Sequence, residues 1–166
     1  MAEHIRGRIQ SGILDSSPVE PFTGVIGVGT LFLALDTNRV LLQFRNSDKR
    51  HKHTWGFWGG LVEKGESPYE ALTRELDEEL GLVPDINKLN PIDVYQSKDK
   101  NFMYYSFVAV IEHEFMPNLN GESCGYAWVD IGTWPKPLHE GARATLSYNK
   151  GNEKLNTILN LHKCQI

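Results

Sequence analysis

Apolar and polar positions change their period along the chain, and each change marks an element. From Val25 the run Gly27-Val28-Gly29-Thr30-Leu31-Phe32-Leu33-Ala34-Leu35 is almost wholly apolar until Asp36-Thr37-Asn38, and Arg39-Val40-Leu41-Leu42-Gln43-Phe44-Arg45 then resumes it. Two such runs around a short polar turn predict a β-hairpin. Asn46 to Thr54 is polar and basic and predicts a loop, after which Trp55 to Val62 is a short apolar segment ending in another loop through Lys64-Gly65-Glu66. Leu72, Leu76 and Leu80 then repeat every four residues, the buried stripe of a helix. Ser67 as N-cap, Pro68 at N1 and Glu70 at N3 form its start signal, and Gly81 with Pro84 beyond forms its stop.

Downstream, Ile92 to Gln96 and Phe102 to Ile111 read as strands joined by the charged turn Ser97-Lys98-Asp99-Lys100. A loop from Pro117 to Gly125 precedes a third strand, Tyr126 to Ile131, and Leu155, Ile158, Leu159 and Leu161 give the tail from Glu153 to Lys163 a helical stripe. Residues 1 to 24, broken by Gly7, Gly12, Pro18, Pro21 and Gly24, read as an arm or an edge strand; 25 to 166 read as a single domain. Strands on either side of one helix, with another helix at the end, predict an α/β sandwich with a mixed sheet.

Composition narrows the function without naming it. At 166 residues the chain suits one domain with a sizeable core. A formal net charge of −4 argues against stable nucleic-acid binding, while leaving room for a local basic patch. Cys124 and Cys164 are far apart and outside any C-x-x-C pair, so they read as reduced thiols. The first residues lack the apolar core of a secretory signal, and no apolar run approaches the ~20 residues that span a bilayer, so the expectation is a cytoplasmic protein without a membrane segment.

The chemistry concentrates between Gly60 and Leu82. Glu75, Glu78 and Glu79 stand at i, i+3 and i+4, and a helix projects them within an arc of roughly 100°. Three carboxylates so close repel one another unless a cation lies between them, and for hard oxygen ligands Mg²⁺ or Mn²⁺ is the usual choice. An isolated R-E-L-D-E-E helix is usually only a solvated acidic face. Here Gly60 and Glu66 stand upstream at set distances, and Gly81-Leu82 closes the pattern.

Gly60, Glu66, Arg74-Glu75-Leu76, Glu78-Glu79 and Gly81-Leu82 match every defined position of G-x5-E-x7-R-E-U-x-E-E-x-G-U, with U aliphatic. The chain therefore resembles the Nudix hydrolase family, and its flanking strands and helices follow that family's order. The resemblance implies an α/β/α Nudix sandwich around a mixed β-sheet, and hydrolysis of a nucleoside diphosphate linked to another moiety. It implies that the Gly60 carbonyl and the side chains of Glu75, Glu78 and Glu79 bind Mg²⁺, or Mn²⁺ in its place, while Glu66 pairs with Arg74. A further acid is expected from a loop beyond this segment. Glu122 is the leading candidate, with Glu112 and Glu114 as competitors. Glu75, Glu79 and Glu122 all stand as candidates for the general base.

Arg45, Lys49, Arg50, Lys52 and His53 form the basic cluster of the chain and are candidates to meet substrate phosphates, although a solvated loop would look the same. Trp55, Phe57 and Trp58 are candidates to stack on a base, but alternation along a strand makes at least one of them core. Trp58 replaces the proline that often precedes Gly-Gly in the family. The marks of NADH-specific and coenzyme-A-specific members are absent. The expected substrate is thus a (deoxy)nucleoside triphosphate, with ADP-ribose, a nucleotide sugar or a dinucleoside polyphosphate as alternatives and a non-catalytic nucleotide sensor as another. A homodimer in which the N-terminal arm crosses to its partner is also compatible.

Overall fold

A computed structural model describes residues 21–46 and 51–164. The first 20 positions of the expected arm, and Lys49 and Arg50 of the basic cluster, lie outside the described residues. Strands β1 (Val25–Ala34), β2 (Arg39–Arg45), β3 (Trp55–Gly56), β4 (Trp58–Leu61), β5 (Lys88–Gln96), β6 (Phe102–Ile111) and β7 (Ser123–Asp130) join in one sheet. Its central path runs β3-β2-β1-β6-β5, with β4 on β1 and β7 on β2. The β1–β6 pair is parallel, in register from Val25↔Phe102 to Ala34↔Ile111, and the other pairs are antiparallel, so the sheet is mixed as expected.

Helix α1 (Pro68–Leu80) packs on one face and α3 (Gly151–Lys163) on the other. Val28, Phe32, Leu41 and Trp58 meet Leu72, Leu76 and Leu80 on the first face; Leu31, Leu33, Val40 and Leu42 meet Leu146, Leu155 and Leu159 on the second. Both faces are buried. That is why the strands read as nearly continuous apolar runs rather than as alternating ones.

The predicted hairpin forms, but β1 and β2 pair only at Phe32↔Leu41 and Leu33↔Val40. Beyond that point they diverge: β1 takes β4, from Gly27↔Leu61 to Thr30↔Trp58, while β2 takes β3 at Gln43 and Phe44 and keeps β7 along its other edge throughout. The Trp55 to Val62 segment is therefore two strands, not one, and crosses the gap at Phe57.

Helix α1 follows its start signal closely. Ser67 accepts from the Glu70 N–H at 3.2 Å, the Glu70 carboxylate accepts from the Ser67 N–H at 2.8 Å, and Pro68 occupies the first turn. Gly81 closes the helix at φ 67°, where its N–H donates to Asp77 O at 3.0 Å. The first β7 residue is Ser123 rather than Tyr126, β5 extends back to Lys88, and α3 begins at Gly151. A short helix α2 (Glu140–Arg143) and a π-helical turn (Ala144–Tyr148) were not expected. Asp93 binds that turn to β5, accepting from Thr145 Oγ1 at 3.0 Å and Asn149 Nδ2 at 2.8 Å.

Candidate active site

Arg74 is the hub of the acidic face. Its Nε and Nη2 donate to the two oxygens of Glu66 at 2.8 and 2.9 Å, its Nη1 donates to Glu75 at 2.8 Å, and Nη2 also reaches the Leu61 carbonyl at 3.0 Å. A paired fork on one carboxylate fixes direction as well as distance. Glu66 additionally accepts from the Glu63 N–H at 2.9 Å, and the Arg74 bonds, followed by this one, hold its pKa down at about 2. The loop between β4 and α1 is thus tied to the helix. Glu78, one turn on from Arg74, has a 61% exposed side chain and stands 3.9 Å from the guanidinium.

Gly60 and Gly59 bring β4 close to this face. A Cβ on Gly60 would overlap the Glu75 carboxylate, so only glycine lets the acid lie against the strand. Gly59 sits at φ 143°, a conformation suited to glycine, and a Cβ there would overlap the Val28 carbonyl. Its N–H donates to Glu79 Oε2 at 2.8 Å.

Glu79 is the buried acid of the site, at 2% exposure. Burial, then the negative charges of Glu122 and Glu75, push its pKa up to about 8 against the downward pull of the Gly59 N–H. Gln43 on β2 lowers the Glu79 pKa least of all, while its Nε2 donates to the Phe57 carbonyl and its Oε1 accepts from Ser123 Oγ. Sequence analysis did not single out Gln43. The available signal was a lone amide in an apolar strand.

The loop that carries Glu122 is bound to both layers of the site. Asn120 donates from Nδ2 to the Glu78 carbonyl at 3.1 Å and accepts the Glu122 N–H on Oδ1 at 2.8 Å, while the Asn46 N–H donates to the Glu122 carbonyl at 2.9 Å. Glu122 is half-buried and close enough to Glu79 to act on its ionisation. The competitors are occupied elsewhere. Glu114 accepts twice from Arg39, at 2.7 Å each, and from Thr37 at 2.6 Å; Glu112 accepts from Asn87 at 3.3 Å.

The basic and aromatic candidates divide. Trp58 has no exposed surface and Phe57 is 5% exposed, so both are core residues, on opposite faces of the sheet, and neither is available for stacking on a base. Lys52 and His53 are exposed; Phe44 lies between His53, 6.1 Å away and nearly parallel, and partly buried Trp55, 4.9 Å away. Arg45 lies at the same end of β2, paired with Ser123 across the β7 bulge.

His139 joins this end unannounced by any motif. Its N–H donates to the Trp55 carbonyl at 2.7 Å, which lays residues 137 to 139 along β3. The ring stands 4.9 Å from His51, and Nδ1 accepts from the Gly141 N–H at 3.1 Å, leaving the proton on Nε2. Burial, then the nearby Arg45 and His51, lower its pKa to about 4.

Among the described residues, no three His, Cys, Asp or Glu side chains already stand in a metal-holding arrangement. Arg74 draws Glu75 aside, the Gly59 N–H turns Glu79 inward, and Glu78 points outward. The donor set nevertheless fits a hard divalent cation. Glu75, Glu79 and Glu122 are all oxygen donors; burial first, and then the charges of Glu122 and Glu75, raise the Glu79 pKa, and a cation would offset the cost of ionising it.

A fold of this kind, with its glutamate helix opening behind a Gly-Gly strand, defines a family. The NUDIX domain model matches residues 25–148, and the chain belongs to the Nudix hydrolase family. It is similar to the ADP-ribose pyrophosphatase of Methanocaldococcus jannaschii, at 38% identity over 64 residues, which cover 39% of this chain and 36% of that protein. It is also similar to the 8-oxo-dGTP diphosphatase of Escherichia coli, at 37% identity over 49 residues, covering 30% of this chain and 38% of that protein. The matched stretches thus span little more than a third of these curated relatives. In fold it resembles the Nudix hydrolase RenU from M. smegmatis, with a TM-score of 0.63, 23% identity, and coverage of 82% of this chain and 88% of that one. Enzymes of this family generally use a divalent metal. Among the described residues no helix is long and apolar enough to cross a membrane.

Proposed function

We propose that this protein is a Mg²⁺-dependent pyrophosphohydrolase whose substrate is a (deoxy)nucleoside triphosphate. Glu75, Glu78, Glu79 and Glu122, with the Gly60 carbonyl, would hold the metal, and Mn²⁺ would substitute for Mg²⁺. A divalent ion there neutralises phosphate charge and lowers the pKa of a bound water. The chain's own residues do the rest. Arg74, braced by Glu66, aims Glu75; one of Glu75, Glu79 and Glu122 takes the proton as water forms a new bond to phosphorus and the bridging P–O bond breaks. Arg45, Lys52 and His53 line the neighbouring end of β2 and offer positive charge to the remaining phosphates, with Arg50 in the same stretch of sequence.

The observation that carries this reading is the electrostatic convergence of Glu75 and Glu122 on buried Glu79, beside the Arg74–Glu66 pair. Absent subfamily marks and the likeness to an 8-oxo-dGTP diphosphatase favour a nucleoside triphosphate. The likeness to an ADP-ribose pyrophosphatase supports a second reading within the same chemistry, cleavage of ADP-ribose or a related dinucleotide or sugar nucleotide. A non-catalytic sensor is disfavoured by the intact glutamates.

Incubation with Mg²⁺ and a panel of nucleoside triphosphates, ADP-ribose, nucleotide sugars and dinucleoside polyphosphates, with products separated by chromatography, distinguishes these readings. Nucleoside monophosphate with pyrophosphate from a triphosphate is the expected result. Turnover of ADP-ribose alone would replace the substrate, and no turnover of any compound would favour the sensor.

A further inference from the structure

We infer that Tyr104 on β6 binds the nucleoside end of the substrate, with its ring against the base and its hydroxyl donating to the nucleoside. The inference rests on the reading of the substrate as a nucleotide. Phe57 and Trp58 are sealed in the core, so a base needs another aromatic surface. Tyr104 lies opposite Gly27 in the parallel β1–β6 register. A Cβ on Gly27 would stand 2.7 Å from Tyr104 Cδ2 and 3.2 Å from Cε2, and one on Gly29 would overlap the hydroxyl and meet Phe57 Cβ at 3.1 Å. The ring therefore leans along β1 from Gly27 to Gly29, over a bed that only the two glycines leave open. Phe102 flanks it, with ring centroids 6.2 Å apart.

Phenylalanine would fill the same bed, so the hydroxyl is what packing does not explain. Among the described residues none shares a hydrogen bond with it, yet it is not sealed from solvent. It is recessed, and burial raises its pKa and keeps the proton in place for donation. A recessed donor without a protein partner is costly unless a ligand takes up the bond. Tyr95, Tyr104, Gly27 and Leu61 stand side by side on one face across β5, β6, β1 and β4, and Tyr95 and Leu61 at the two ends are exposed. This aromatic and apolar row joins the acidic site at two points. The Leu61 carbonyl is the one that Arg74 holds at 3.0 Å, and Gly29, beneath the hydroxyl, pairs with Gly59, whose N–H holds Glu79. Adjacent strands stand about 4.8 Å apart, so a nucleotide with its phosphates at the glutamates can reach Tyr104 with its base.

Calorimetric binding of AMP and dGMP, with tripolyphosphate as a base-free control, tests this in wild type, Tyr104→Leu and Tyr104→Phe. Tyr104→Leu should weaken both mononucleotides by about 5- to 100-fold, the worth of a stacked base. Tyr104→Phe keeps the ring and should weaken them by about two- to tenfold, the worth of one hydrogen bond. Tripolyphosphate affinity should stay within about twofold in both, and KM for any nucleotide that is hydrolysed should rise more than kcat falls. A purely structural ring would lower the thermal midpoint and leave the affinities of the folded variants alone. Folded variants that bind AMP and dGMP within about twofold of wild type, or that lose tripolyphosphate to the same extent, would overturn the inference. If Tyr104→Leu does not fold, wild-type NMR spectra decide: nuclear Overhauser contacts between the base protons of AMP and the Tyr104 ring are expected, and bound AMP without them, or no binding of AMP, would overturn it. Mononucleotide binding requires no turnover. Wild type that binds AMP through Tyr104 yet hydrolyses nothing would defeat the proposed function alone, whereas triphosphate turnover that the Tyr104 variants leave unchanged would defeat this inference alone.

Discussion

The guanidinium of Arg74 lies along the carboxylate of Glu66 in two parallel hydrogen bonds of 2.8 and 2.9 Å, while its third arm holds Glu75. Lysine keeps the charge but cannot reproduce a fork that serves two acids at once. Arg74→Lys is expected to reduce kcat by about 10- to 100-fold, with weaker metal activation and little change in KM, as measured by steady-state kinetics across a Mg²⁺ titration. Equal metal dependence in the variant would show that the fork has no bearing on the metal site.

Trp58 tests the division between core and site. Fully buried beneath α1, it should cost about 3–5 kcal/mol when truncated in Trp58→Ala. Its indole Nε1 is buried with no hydrogen-bond acceptor, so Trp58→Phe removes an unsatisfied donor along with some volume and should cost less than the alanine change. Denaturant unfolding measures both. In the phenylalanine variant KM for nucleotide should be unchanged, whereas a raised KM would restore Trp58 as a stacking residue.

Much of the acidic face was legible because it is local. The capping box, the Leu72–Leu76–Leu80 stripe and the spacing of Arg74, Glu75, Glu78 and Glu79 all lie within one helix, where sequence distance converts directly to spatial distance. The Glu66–Arg74 contact was legible through its family motif. Gln43 and His139 were not, because their roles depend on how β1 and β2 part company and on a segment from 137 to 139 that returns to β3 from far along the chain. The same parting splits the Trp55 to Val62 run. Alternation could say that one aromatic there was core, but only strand pairing shows that Phe57 and Trp58 are buried on opposite faces.

Asn120 joins the Glu78 carbonyl to the Glu122 N–H, with bonds of 3.1 and 2.8 Å. Asn120→Ala should release the Glu122 loop from α1, costing about 1 kcal/mol of stability and lowering kcat by about tenfold. Thermal unfolding and initial rates under saturating substrate check the two effects separately. A stability loss with full kcat would confine Asn120 to a structural role.

His139 gives the fold a pH dependence of defined sign. Its pKa falls from 6.5 in the unfolded chain to about 4 in the folded one, so below 6.5 the unfolded state binds a proton that the folded state refuses. The stability it contributes is present above pH 6.5 and is lost as pH falls toward 4. His139→Asn keeps a side-chain acceptor for the Gly141 N–H but does not titrate. Thermal midpoints measured from pH 7.5 down to 4.5 should therefore fall less steeply in the variant, and parallel curves would contradict the assignment.

The central claim, that the α1 carboxylates hold the metal for phosphorus–oxygen cleavage, is tested most directly by Mg²⁺-dependent hydrolysis with Glu78→Gln beside wild type. Glu78 is exposed and the substitution preserves its shape, so the fold should be untouched while a ligand charge is lost. Mg²⁺-dependent turnover by wild type, abolished in the variant at an unchanged thermal midpoint, is the predicted result. Near-normal turnover by Glu78→Gln, or wild-type turnover that persists in excess chelator, would contradict it.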